Sequence, residues 1–200
     1  MHPDGRFRLE DRSVLEALVE EVGFGMVFAT TPDGPCVAHT PLVSTCDGAV
    51  QFHLANGNAL AKHLTNATAL VVVNGPDAYI SPRWYETAGQ VPTWNYVAVE
   101  LEGRVRCMER EGTEALLSRI GARHEARIAG GEPWRPEQVA PDYWNRLMRG
   151  ITGFELEIAA WRPTFKLSQN KSAADRERIA AGLAANRAPA VAALMRSFTG

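Results

Sequence analysis

The stretch VAVELEGRVRCM, residues 97–108, decides the fold class. Val97, Val99, Leu101, Gly103, Val105 and Cys107 fall on one side of an extended chain, and Ala98, Glu100, Glu102, Arg104 and Arg106 on the other. Strand side chains alternate between faces, so this is the pattern of a half-exposed strand with one face against a core. Gly103, inside the apolar row, suits a bulge or bend that helps curl a sheet into a barrel.

Upstream, MVFATT and CVAHTPLV flank Pro32-Asp33-Gly34, which reads as strand, turn and strand. Cys46-Asp47-Gly48 marks a second turn before the strand AVQFHLA. Asn56-Gly57-Asn58 ends that strand, and a short helix through Leu60 and Leu64 follows. Leu70 to Val73 reads as a short buried strand, and GFELEIAAW (153–161) returns to alternation. Helical periodicity predicts a helix from about Asp11 to Val22, with Asp11 or Ser13 as its cap and Gly23 as its stop. Further helices are expected at 111–125, near Pro141 to Gly150, and through the Ala-rich tail from Ser172 to Phe198, interrupted at Pro189. Short turn-connected strands without strict βα alternation argue for a mainly β, antiparallel barrel with helical decoration, an α+β chain.

Two hundred residues with 46% hydrophobic and 22% charged content make one domain, or one domain with an added helical element. A formal net charge of −2 gives no overall basic field of the kind a dedicated nucleic-acid binder carries. Arg119 and Arg123, and Arg176, Arg178, Arg187 and Arg196, are interleaved with Glu114, Glu125, Asp175 and Glu177, which reads as a solvated mixed face. Cys36, Cys46 and Cys107 are odd in number and lack CxxC spacing, as expected of free thiols in a reducing compartment. The N-terminus has no apolar signal core and no apolar run reaches membrane-spanning length, so the expected location is the cytoplasm. The histidines lack metal-ligand spacing, and neither a GxSxG elbow nor a phosphate loop occurs.

Residues 76–96 concentrate Tyr79, Trp84, Tyr85, Trp94 and Tyr96 among Ser81, Thr93 and Asn95. Aromatics with one polar handle beside hydroxyls and amides suit a pocket for a planar, hydrogen-bonding ligand. The same composition suits a core corner or a dimer interface. Pro92 stiffens the backbone ahead of Thr93 and Trp94. Past the last strand, Lys166, Ser168, Gln169 and Asn170 make a polar turn in which Ser168 or Asn170 suits a helix cap.

AYISPRWY, VPTWNYVAV, FHLAN and GFELEI…KLSQNKS together resemble the FMN-binding negative transcriptional regulators of the PaiB type, over about Met1 to Leu183. The order of elements is also similar to the wider FMN-binding split-barrel group typified by pyridoxamine-phosphate oxidases. The resemblance implies an antiparallel Greek-key split β-barrel over 1–171, with a helical insertion near 111–150 and a helical extension over 172–200. It implies a homodimer with FMN at the two-fold interface, and DNA or a regulatory protein as partner. Asn58, Lys62 and His63, with the backbone of the turn Asn56-Gly57-Asn58, would stand near the phosphate, and His53 would lie among the cofactor-binding residues. The basic pair that grips phosphate in the oxidases is absent after Asn56. Tyr79, Ser81, Trp84, Thr93, Trp94 and Asn95 would frame the ring. Lys166 would face the N1–C2 edge, with Ser168 and Gln169 beside flavin and substrate. Two alternatives stand beside the regulator: an FMN-dependent oxidoreductase acting on a small molecule, and a haem-binding split barrel with His53, His63 or His124 as axial ligand.

Overall fold

Residues 3–198 are described by a computed structural model, and their strands form one seven-stranded sheet. The strands are β1 Phe24–Thr31, β2 Gly34–Pro41, β3 Val43–Ser44, β4 Ala49–Ala55, β5 Thr68–Ile80, β6 Thr93–Cys107 and β7 Ile151–Lys166, in the spatial order β2-β1-β5-β6-β7-β4-β3. The α-helices among the described residues are α1 Arg12–Val22, α2 Arg110–Glu125, α3 Pro141–Met148, α4 Ala173–Ala185 and α5 Pro189–Ser197. The registered pairs β1–β2, β1–β5, β3–β4 and β4–β7 are all antiparallel.

The expected turns fall where their chemistry put them. β1 and β2 pair from Phe24↔Pro41 to Thr31↔Gly34. Thr31 Oγ1 closes the hairpin by donating to the Gly34 carbonyl at 2.9 Å, and Gly34 takes φ +111°. In β6 the apolar row Val97, Val99, Leu101, Gly103 and Val105 is buried, whereas Cys107 is exposed where the strand ends. Gly103 has a different job from the expected bend: a Cβ there would lie 1.9 Å from the Glu157 carbonyl oxygen. Its role is close backbone approach.

Three strands run well beyond what the sequence suggested, among them β6, which begins at Thr93 and not at Val97. β5 spans thirteen residues instead of Leu70 to Val73, and β7 continues past Trp161 through Pro163 to Lys166. Asn74-Gly75-Pro76-Asp77 carries turn residues, yet a Cβ on Gly75 would sit 3.1 Å from the Val97 Cβ. Gly75 therefore serves tight packing inside a continuous strand. Pro189 likewise opens α5 at its first turn, where the missing N–H costs nothing. The start of α1 follows expectation: Asp11 accepts the Ser13 amide at 3.0 Å, and Gly23 at φ +60° ends the helix.

The chain forms two compact units, and β5, β6 and β7 each contribute to both. One comprises Glu16–Val73 and Glu100–Trp161. Its core includes the stacked pair Phe52–Phe154, ring centroids 5.6 Å apart and directly opposite in the β4–β7 register. Arg123 on α2 fastens α1 there, pairing with Glu20 at 2.8 Å and donating to the Leu42 carbonyl at 2.6 Å. The other comprises Met1–Leu15, Asn74–Val99 and Arg162–Gly200. In it α4 and α5 pack through Ile179, Leu183, Val191 and Met195, all buried, and Phe165 stacks on Phe198 at 5.7 Å.

Candidate functional site

Within the second unit, the end of β7, the start of β6 and the loop at 85–91 converge. Lys166, the last residue of β7, donates from Nζ to Thr93 Oγ1 at 2.6 Å. Burial pushes its amine pKa below the usual lysine value, because a desolvated ammonium is disfavoured. The chain then turns through Ser168, held in the left-handed region at φ +61°. That turn drives the Ser168 hydroxyl inward, 3.0 Å from Nδ2 of Asn95, whose side chain is fully buried. Three residues on, Lys171 donates to Gln90 Oε1 at 2.8 Å and lies 5.1 Å over the Tyr85 ring.

Lys166, Lys171, Thr93, Asn95, Ser168 and Gln90 line a cleft of about 260 Å³, with Phe7, Tyr85 and Val91 as apolar walls. The wall at 85–90 is tied to α4. Asp175, nearly inaccessible to solvent, accepts the Glu86 amide at 2.8 Å and the Thr87 hydroxyl at 3.3 Å. Those bonds hold its carboxyl below the usual range, the Glu86 amide contributing most. Asp175 is thus buried and engaged, not part of a solvated mixed face. The cap of α4 is Ser172, whose hydroxyl accepts the Asp175 amide at 3.1 Å. Ser168 and Asn170 do not cap the helix.

The aromatic segment separates in three directions. Thr93 and Asn95 line the cleft, while Trp94 between them points to the opposite face of β6. Trp94 is 53% exposed and meets Tyr79, 47% exposed, edge to face at 6.2 Å. Tyr85 is buried in the cleft wall. Trp84 packs on α4, where a Cβ on Gly182 would lie 2.6 Å from the indole. Ser81, also buried, accepts the Arg83 amide and starts the short turn Pro82–Trp84. Gln169 is turned back on its own segment, accepting the Leu167 amide and donating to the Phe165 carbonyl. A single slot shared by Trp84, Thr93, Trp94 and Asn95 is therefore not formed within this unit.

The residues expected near the phosphate lie in the first unit. Asn56 donates to the Arg149 carbonyl at 2.8 Å and accepts from Thr152 at 2.7 Å, which occupies both ends of its amide. Asn58 Oδ1 accepts the Leu60 amide at 2.9 Å and so caps its own turn. Lys62 is exposed on the short turn Ala61–His63. His53 lies in β4, half-buried, with Nδ1 shielded and without a hydrogen-bond partner among the described residues. Desolvation lowers its pKa. Those side chains, Lys62 apart, are engaged in the fold or shielded from solvent.

Lys171 and Gln90 were not marked by the sequence as members of the cleft, and Tyr85 entered only as part of the aromatic concentration. The spacing of Lys166 and Lys171 on one polar turn was the available signal. The donor set fits a flavin mononucleotide: two ammoniums, hydroxyls and amides beside apolar walls. The volume is smaller than the roughly 300–1,000 Å³ of sites that enclose a whole small molecule. A larger cleft of about 400 Å³ follows Glu132, Pro133, Arg135, Glu137 and Gln138, all on one loop segment.

Residues 1–160 match the model of the family described as "Putative FMN-binding domain". The chain is 28% identical over 173 residues to "Protease synthase and sporulation protein PAI 2" of Bacillus subtilis, covering 84% of this chain and 82% of that one. Among solved structures it is similar to the FAD and haem binding protein from Mycobacterium smegmatis, with TM-score 0.61 and 16% identity over 87% of this chain and 79% of that chain. It is also similar to the flavocytochrome Anf3 from Azotobacter vinelandii, with TM-score 0.55 and 17% identity over 82% and 74%. The last two carry the fold alone: an antiparallel split barrel.

Proposed function

The chain belongs to the FMN-binding domain family, and from that premise we propose that it works as a homodimer in which the cleft below β6 holds a polar part of FMN. The single observation that carries this reading is the sidedness of Thr93-Trp94-Asn95. One face of β6 presents a polar, cationic cleft, and the other presents an exposed indole and phenol. An exposed Trp–Tyr pair is the composition of a protein interface, and a cleft too small for the whole cofactor calls for walls from a second copy. Lys166, Thr93, Asn95 and Ser168 would hold the cofactor. When bound, FMN supplies redox chemistry, and this chain orients it and shields it from water.

The role of that flavin is regulatory in this reading. The relative from Bacillus subtilis carries the name "Protease synthase and sporulation protein PAI 2", and the resemblance to PaiB-type regulators favours a regulatory role. Direct contact with DNA has little support from charge. On the helices, Arg110 pairs with Glu114, Arg123 with Glu20, Arg127 with Glu21 and Arg196 with Glu177. A protein partner suits such a neutralised surface better than phosphate does. The exposed thiols of Cys46 and Cys107 fit a reducing compartment such as the cytoplasm. Among the described residues, no helix is long and apolar enough to cross a membrane.

The test is a titration of purified chain with FMN, read by quenching of flavin fluorescence, with sedimentation on the same samples. Saturable quenching in a dimer is expected, with no DNA retardation at low salt and no Soret shift on adding haem. Unchanged flavin fluorescence at every protein concentration would refute the reading.

A further inference from the structure

Lys166 and Lys171 sit in one cleft, and among the described residues neither forms an ion pair with a carboxylate. Among the described residues their hydrogen-bond partners are neutral: Thr93 Oγ1 at 2.6 Å and Gln90 Oε1 at 2.8 Å. One carboxylate, Asp4, also lines the cleft. Its charge is engaged by Arg6, which reaches Oδ2 at 2.7 Å and Oδ1 at 3.1 Å. The remaining polar groups are the hydroxyls of Thr93 and Ser168 and the amides of Asn95, Asn170 and Gln90, which can donate. Half-buried ammoniums with only neutral acceptors are stabilised by a counter-charge, and an anion there gains charge-assisted hydrogen bonds.

We infer that this cleft is an oxyanion site, in which Lys166 and Lys171 together grip a phosphate or carboxylate group. Burial already destabilises the Lys166 ammonium, a penalty that a bound anion would offset. The grip is assembled before a ligand arrives. Gln90 and the Tyr85 ring fix Lys171, and the loop carrying both is anchored to α4 by Asp175. About 260 Å³ suits a charged group with a few attached atoms. The engaged amides of Asn56 and Asn58 make the turn after β4 a poorer grip.

The oxyanion has two sources to distinguish: the phosphate of FMN itself, or a separate small anionic ligand. This deepens the reading above and rests on it only for the first source. The experiment uses the full chain with Lys166→Met, Lys171→Met and the charge-keeping Lys171→Arg, each checked by thermal melting. Inorganic phosphate is titrated by calorimetry into flavin-free and FMN-loaded protein, and dissociation constants are measured for FMN and riboflavin. Phosphate binding should weaken about tenfold or more in each Met variant and persist in Lys171→Arg. If the source is FMN, wild type prefers FMN over riboflavin, phosphate competes with FMN, and both Met variants lose the preference. If it is a second ligand, FMN and riboflavin bind alike and phosphate still binds the loaded chain. Should a variant fail to fold, phosphate-induced shifts of the lysine amine resonances in wild type serve instead, and unmoved resonances refute the proposal. Folded Met variants with unaltered phosphate binding and unaltered flavin preference would also overturn it. Phosphate binding without any flavin binding would sink the flavin reading and leave this one standing.

Discussion

The carboxylate of Asp175 on α4 receives the backbone amide of Glu86 at 2.8 Å, joining the C-terminal helices to the loop that walls the cleft. The family model ends at residue 160, yet Lys166, Ser168, Lys171 and Asp175 all lie beyond it. Replacing Asp175 with Asn should loosen residues 86–90, lower Tm and speed proteolysis of that loop. The effect has a definite pH dependence. Because the folded-state pKa is depressed, this stabilisation is fully present above the unfolded value of about 4 and is lost as pH falls through the folded one. Thermal melts of both proteins from neutral to strongly acidic pH check this: the difference should be constant above about pH 4 and shrink below it.

Gly103 should tolerate no side chain. The Glu157 carbonyl oxygen stands 1.9 Å from where its Cβ would be, and backbone cannot swing aside as a flexible side chain can. Gly103→Ala should destabilise the fold by on the order of 3 kcal/mol, at the high end of single substitutions, as measured by urea denaturation.

Trp94 and Trp84 should respond oppositely to truncation. Trp94→Ala removes an indole that is 53% exposed, so the melting temperature should barely change while the proposed self-association weakens. Trp84→Ala empties the space over Gly182 beside α4 and should cost about 2–3 kcal/mol without altering association. Sedimentation velocity and denaturant melts of the two variants separate the effects.

His53 should titrate below the ordinary histidine value of 6.5, because burial disfavours its charged form. The stability linked to it is full above the unfolded value and is lost as pH falls below about 6.5 toward the folded pKa. His53→Leu should flatten that part of the stability profile, and the imidazole resonance in a proton NMR titration should show the lowered midpoint.

Much of the architecture could be read directly because a local signal and the tertiary demand agreed. Pro32-Asp33-Gly34 makes a hairpin, Asp11 and Gly23 bound α1, and the alternation of Val97 to Val105 is that of a strand with one buried face. The ends of β5 and β7 were hidden because Gly75, Pro76 and Pro163 resemble turn residues whatever their use. In β5 close packing on Val97, which no local pattern encodes, accounts for the glycine.

The site was legible in part. Thr93, Asn95, Lys166 and Ser168 line one cleft, a grouping that the family resemblance implied and that local pattern did not. Aromatic concentration overstated the slot, since a strand sends Trp94 away from its neighbours, and the rule of alternation alone would have said so. Asp175 escaped notice because charge interleaving cannot distinguish a solvated carboxylate from one buried on two donors. The motif Ser172-Ala173-Ala174-Asp175 was its one local mark, a cap three residues ahead of an acid.

The most direct test is gel filtration with light scattering and visible detection of the purified chain after incubation with FMN. Flavin absorbance should co-elute with a species of twice the chain mass, and Lys166→Met should reduce the flavin carried by that peak. Flavin eluting free behind a colourless monomer would contradict the account.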